Sequence, residues 1–300
     1  MAIMFRPGTV DDSAAVFNIF LESVTDLTQR LGLAPATPSP DPEAQVRAWE
    51  NRRPLYAHLA HHADQFWVAE AQGQLIGYAR STLRGRVRQL TEFFVLPGQQ
   101  SAGVGRELLQ RAFPADSERR LIIATLDTRA QVRYMKAGIY PQFPATVFSR
   151  PPEAVDIDSD LVFQPVSDTR DNLAALNGID DAIIDYRREV DHRWLMAQRQ
   201  GFLYLRDGQA VGYGYVGHNS GPFALLNDSD YPAVLAHAET QAAAQNLDTF
   251  SLVLPLINRA AVDYLLKRGF QLGGFYMFLM ANAPFGRLEN YIINSPPFFL

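Results

Sequence analysis

The hydrophobic and polar positions of the first half change period in a regular succession. Residues 3–6 form a short β-prone run closed by Pro7-Gly8, and Thr9-Val10-Asp11-Asp12 offers caps to a helix carrying Val16, Ile19, Phe20 and Val24 on one side. Prolines 35, 38, 40 and 42 make 33–42 a loop, and a second helix is predicted from Pro42 to about His62. Residues 66–71 and 74–82 read as a hairpin turning at Gln72-Gly73. A strand over 89–96 runs into a glycine loop, and Leu108, Leu109 and Phe113 then recur at helical spacing. A short apolar strand at 121–126, a helix over 128–137 stopped by Gly138, and a strand over 142–149 that closes the sheet complete the succession.

Residues 151–160 are proline-led and acidic and read as a linker, after which the first half begins again. Phe163-Gln164-Pro165 echoes Phe5-Arg6-Pro7, and Gly208-Gln209-Ala210-Val211-Gly212-Tyr213 echoes Gly73-Gln74-Leu75-Ile76-Gly77-Tyr78. Asn258-x-x-Ala261 with Gly269-Phe270 echoes Asp127-x-x-Ala130 with Gly138-Ile139. Three echoes in one order point to a divergent duplication. The expected organisation is a domain over 1–152, a linker over 153–160 and a degenerate copy over 161–300. In that copy the glycine loop is replaced by Tyr231-Pro232-Ala233-Val234-Leu235-Ala236, and Leu265 stands at the position of Tyr134. The second half therefore reads as a structural partner that shapes an acceptor cleft.

The segment Phe93-Phe94-Val95-Leu96-Pro97-Gly98-Gln99-Gln100-Ser101-Ala102-Gly103-Val104-Gly105-Arg106 carries the chemistry. A glycine loop feeding a helix N-terminus presents backbone N–H groups and the positive end of the helix dipole, which suits a phosphate. The loop lacks a P-loop lysine and the three-glycine spacing of dinucleotide sites. Gln100-x-x-Gly103-x-Gly105, one short loop after the strand, resembles motif A of the GNAT superfamily of acetyl-CoA-dependent N-acetyltransferases. The order of predicted elements is similar to that family over roughly the first 150 residues, and Asp127-x-x-Ala130-x-x-x-Tyr134-x-x-x-Gly138 is similar to its late helix.

The resemblance implies an α/β fold of two GNAT-like domains in tandem, each a mixed, mostly antiparallel sheet flanked by helices. It implies acetyl-CoA as co-substrate, with the pyrophosphate on Gln100, Ser101, Ala102, Gly103, Val104, Gly105 and Arg106. The pantetheine arm would pair with the main chain of Phe94, Val95 and Leu96. Tyr134 would protonate the leaving thiolate, and Glu92 would relay a proton from the amine. Ser101-Ala102 stands where many relatives carry Gly and a basic residue, which places more of the phosphate contact on backbone donors and Arg106.

Composition narrows the remaining choices. The 300 residues suffice for two cores, and 47% hydrophobic with 20% charged is ordinary for a globular chain. A net charge of −5 argues against nucleic acid as partner, and no apolar run reaches membrane-spanning length. The N-terminus lacks the pattern of a signal peptide, so a cytoplasmic location is expected. The absence of cysteine removes disulfides, thiolate catalysis and zinc–sulfur sites. His58, His61 and His62 sit at helical spacing without a carboxylate cluster, and no metal is expected. Arg80, Arg84, Arg86 and Arg88 crowd one hairpin and read as a solvated turn, with an acidic acceptor as the other reading; Trp67 and Tyr78 read as core. The apolar tail 290–300 is expected to pack on a domain. The expected activity is transfer of an acetyl group to a primary amine on a small molecule or peptide, in a monomer (a pseudo-dimer of domains) or weak homodimer. The alternatives are a non-catalytic acetyl-CoA sensor or interaction module, and a different acyl donor in the same loop.

Overall fold

The computed structural model describes residues 3–33, 41–99 and 103–300. The chain packs as two compact units, residues 1–122 with 127–137, and residues 123–126 with 138–300.

The first unit begins with β1 (Met4–Pro7), α1 (Ser13–Arg30) and α2 (Pro42–His61). The antiparallel strands β2 (Gln65–Ala71), β3 (Gln74–Arg84) and β4 (Val87–Val95) follow, then α3 (Val104–Ala112), β5 (Arg119–Ala124) and α4 (Thr128–Lys136). The strands lie in the order β1-β2-β3-β4-β5, with only β4 and β5 parallel. Because side chains alternate along a strand, β4 serves both faces of the sheet. Phe94 meets the ring of Phe20 on α1 at 5.3 Å. The ring of the preceding Phe93 lies against Gly105 on α3. The apolar stripe Val16, Phe17 and Ile19 of α1 and Tyr56 of α2 are buried on the Phe94 side, as the helical period of α1 requires.

A register shift separates the β3–β4 pairs Arg80–Glu92 and Ser81–Leu90, leaving Thr91 as the extra residue, with its Oγ1 donating to Arg80 O at 3.0 Å. Pairing of β4 with β5 spans Val87–Leu90 against Arg119–Ile122 and stops at the same point. A bulge increases local twist and bends its strand, which turns the remainder of β4 out of register with its parallel neighbour.

The second unit contains β6 (Tyr140–Arg150), β7 (Val162–Pro165), α5 (Arg170–Ile183), α6 (Glu189–Gln198), β8 (Gln200–Arg206), β9 (Gln209–Val216) and β10 (Phe223–Leu225). It continues with α7 (Tyr231–Ala244), β11 (Phe250–Pro255), α8 (Arg259–Lys267), β12 (Gln271–Ala281) and β13 (Tyr291–Ile292). One sheet runs β13-β10-β9-β8-β7, and β6 lies antiparallel between β11 and β12. The strand expected to close the sheet of the first half is thus flanked on both edges by strands of the second. Periodicity specifies that 142–149 is a strand and which face is apolar; it carries no information about the partner.

The repeat is visible in detail. The β2–β3 and β8–β9 turns have the same left-handed pair, Gln72 (φ 54°) with Gly73 (φ 75°) and Asp207 (φ 50°) with Gly208 (φ 75°). Both hairpins carry a register shift a few residues from the turn. Tyr78 and its counterpart Tyr213 each donate to a buried carboxylate that is also paired with an arginine: Glu92 with Arg80, and Asp180 with Arg188. Residues 151–159 lack helix or strand, and Val155 exchanges backbone hydrogen bonds with Thr240 Oγ1 of α7, at 3.0 Å from its N–H and 3.2 Å to its carbonyl.

Candidate functional site

The site is assembled around the end of β4 and the start of α3. Gly103 is the N-cap of α3 with φ +78°, a conformation that L side chains rarely adopt, and a Cβ there would project into open space. The amides of the first helical turn have no partner four residues back and point out of the helix end. Arg106 and Glu107 both donate their N–H groups to Gly103 O, tightening that turn. Gln100, Ser101 and Ala102 lie outside the described residues. Val104 and Gly105 are buried and Arg106 is exposed.

Next to this helix end is a cavity of about 870 Å³ with Arg106, Arg120, Arg133 and Lys136 in its wall. Arg120 is held by Ala137 O at 2.8 Å and lies over the Phe113 ring, and its burial lowers its pKa. The concentration of cations at a helix N-terminus suits a polyanion, and these basic residues were missed by sequence reasoning apart from Arg106. Their signal was present in the polar face of α4, where Arg133 and Lys136 lie one turn apart.

Gly105 does a different job from Gly103. A Cβ at 105 would stand 3.2 Å from the Phe93 ring and 3.7 Å from the Arg133 guanidinium carbon. The absence of a side chain lets the Phe93 ring lie against α3, and that ring meets Tyr134 edge-on at 6.1 Å. Tyr134 is 4% exposed and follows from the amphipathic period of α4, whose N-cap Asp127 accepts from the N–H groups of Arg129 and Ala130. Burial, with a smaller contribution from Asp127, raises the Tyr134 pKa, so its phenol keeps its proton throughout the neutral range.

The main chain at the end of β4 is divided between two edges. The antiparallel alternation directs the peptide groups of Phe94 and Leu96 towards β3, and Leu96 N–H donates to Ile76 O at 2.9 Å. Those of Phe93 and Val95 point to the opposite edge, beyond the last β4–β5 pair. The Leu96 amide, expected as a donor to ligand, is therefore already used inside the sheet.

Glu92 is 1% exposed. It accepts from Tyr78 Oη at 2.8 Å and from Arg80 Nε at 2.8 Å, with a second short contact from Arg80. Both carboxylate oxygens are engaged, and the structure places Glu92 as the counter-ion of Arg80 rather than as a carboxylate open to water. The arginine cluster also departs from the solvated turn expected of it. Arg80 and Arg88 are buried, Arg88 pairing with Asp64 and with Asp116, whereas Arg84 and Arg86 lie near the exposed turn. His58 and His62 have ring centroids 4.8 Å apart, and no group of three metal-ligating side chains occurs among the described residues.

The second unit has closed its corresponding groove with its own chain. Strand β10 pairs with β13 through Phe223–Ile292 and Ala224–Tyr291, and the next residue, Ile293, bridges to Val253 of β11 with its N–H on Val253 O at 3.0 Å. Asn290 and Asn258 clamp this segment, donating to Leu225 O and Tyr291 O at 2.9 and 3.2 Å. The helix after β10 begins Tyr231-Pro232, with Tyr231 fully buried and a proline removing a donor from its first turn. Leu265, at the position of Tyr134, is fully buried and has no proton to give.

The first half thus combines a bulged strand with a glycine-led helix beside a basic cavity, and the order of strands and helices recurs in the second half without the glycine-led helix. Residues 62–138 match the family model of the acetyltransferase (GNAT) domain. The chain is similar to a putative acetyltransferase from Pyrococcus horikoshii, at 14% identity over 96% of this chain and 92% of that one, with a TM-score of 0.70. It is also similar to a tandem GNAT protein from the clavulanic acid biosynthesis pathway, at 12% identity over 94% and 99% of the two chains (TM-score 0.56). A GCN5-related N-acetyltransferase from Sphaerobacter thermophilus is similar at 15% identity over 94% and 96% (TM-score 0.57). No match is found among curated proteins. Residues 62–138 thus match a GNAT domain, and the chain as a whole shares the fold of tandem GNAT structures.

Proposed function

We propose that the chain is an acetyl-CoA-dependent N-acetyltransferase with one competent half, acting on a primary amine by direct attack on the thioester. The observation that carries this reading is the glycine-led N-terminus of α3 beside a cavity walled by Arg106, Arg120, Arg133 and Lys136, with the buried Tyr134 phenol behind the same β4 end. The bare backbone at Gly103 and Gly105, with these cations, fits a pyrophosphate and a further phosphate. When bound, acetyl-CoA supplies the activated carbonyl.

The chain's own residues have three tasks. The loop from Gln100 to Gly105 and Arg106 hold the phosphates. The edge-facing peptide groups of the Phe93–Val95 stretch align the pantetheine arm by main-chain pairing. Tyr134 delivers its proton to the departing sulfur as the amine nitrogen forms its new bond to carbon, and recovers a proton from the amine through water. The Tyr134 phenol keeps its proton at working pH, the form a general acid must have before it gives that proton to sulfur. Glu92 maintains the Arg80 pair beneath the opposite face of β4.

The test is release of free thiol from acetyl-CoA across a panel of amines, with and without the protein. Amine-dependent release is expected. Acetyl-CoA binding without release for any amine on the panel would favour a sensor over a transferase.

A further inference from the structure

The face of β4 opposite Tyr134 has a composition that defines a class of acceptor, an inference that rests on the transferase reading. Phe94 projects to this face and meets Phe20 at 5.3 Å. Phe17 connects Phe20, at 6.4 Å, to Trp49 of α2, at 5.5 Å. Phe20, Trp49 and Phe94 are half-buried, while Phe17 behind them is buried. The result is an aromatic wall with accessible edges beside the strand that would align the acyl group. The charges beneath it, Glu92 and Arg80, cancel each other, so the wall attracts polycations weakly.

One cation on this face is uncommitted. Arg52 lies on α2 between Trp49 and Tyr56, which contact each other at 6.0 Å along one side of the helix. Arg52 is half-buried, and among the described residues no carboxylate pairs with it. A partly desolvated guanidinium without an anion is costly unless a ligand supplies one, and its planar fork fits a single carboxylate. Burial lowers the Arg52 pKa, the direction a bound anion would reverse.

We propose that the acceptor is a primary amine on an aromatic body that also bears one carboxylate, the ring lying against Phe20, Trp49 and Phe94 and the carboxylate meeting Arg52. The aromatic wall covers one face of the acceptor ring, and Arg52 fixes its orientation.

Two readouts test this. In thiol release, phenylalanine and tryptophan are compared with phenethylamine, tryptamine, spermidine and glucosamine. The expected kcat/KM is at least tenfold higher for the carboxylated aromatic amines, and Arg52→Gln reduces that ratio about tenfold, with Arg52→Lys restoring part of it. In binding, quenching of tryptophan fluorescence by N-acetylphenylalanine and N-acetylphenethylamine needs no turnover. The expected preference for the carboxylated compound disappears in Arg52→Gln, with acetyl-CoA binding as the check on folding. Equal binding of the two compounds by the native protein, or turnover confined to spermidine or glucosamine, overturns the proposal. Arg52-dependent binding in a protein that releases no thiol with any amine would support this pocket while sinking the transferase reading.

Discussion

At the residue scale the decisive side chain is Tyr134, because it joins a legible motif to an observed position. Its ring packs on Phe93, so part of its burial is ordinary core packing, worth the same with or without a hydroxyl. Tyr134→Phe keeps that packing and removes the proton. Under conditions where chemistry limits, kcat is expected to fall roughly ten- to a thousand-fold with acetyl-CoA affinity unchanged. A wild-type rate would assign protonation of sulfur elsewhere. Glu92 gives the complementary case. With its oxygens on Arg80 and Tyr78, Glu92→Gln leaves a buried guanidinium without a counter-charge and is expected to cost about 3–5 kcal/mol of stability in urea unfolding. A carboxylate acting only as a solvent-exposed base would instead lose turnover while keeping stability.

At the element scale, β4 and its counterpart β10 show how one plan yields an open and a closed groove. β4 is bulged at Thr91 and loses β5 after Leu90, whereas β10 is paired with β13 through Phe223 and Ala224. Inserting a ligand's main chain beside β10 would require the buried segment Tyr291–Ile292 to leave. Isothermal titration of acetyl-CoA is therefore expected to saturate at one per chain. Gly103→Val should abolish that binding with the fold intact, since a β-branched residue is strained at φ +78° and crowds the phosphate approach. Two ligands per chain would show that the second groove opens.

For the whole molecule, the second unit carries a titratable group that links its stability to pH. His237 of α7 is buried, stacked on Phe163 at 4.1 Å and edge-on to Phe202 at 4.6 Å. Burial lowers its pKa to about 4. Since the unfolded imidazole binds a proton near pH 6.5, the folded state binds fewer protons between the two values. The contribution is complete above the unfolded pKa and is lost as pH falls towards 4, by up to about 3 kcal/mol. Thermal melts of the native protein between pH 7 and 4.5 should show this loss, and His237→Phe should flatten the pH dependence. An unchanged slope in the variant would remove His237 as its source.

Local order determined much of this protein from sequence alone. Period, caps and turn residues specified each element of the first half within a few residues, because these depend on neighbours in the chain. The glycine loop and Tyr134 were legible for the same reason, being short motifs with fixed spacing. The Arg80–Glu92 pair was not read from the sequence, where Arg80 belonged to a solvated turn and Glu92 to a proton relay; the two meet across the β3–β4 hairpin and are buried only with α1 and α2 packed on that face. Tertiary structure alone decided the rest: β6 went to the strands of the second unit, β13 filled the groove beside β10, and Arg52 was left without a carboxylate among the described residues. Strand partners and unpaired charges depend on long-range contacts, which a one-dimensional pattern of apolar positions does not encode.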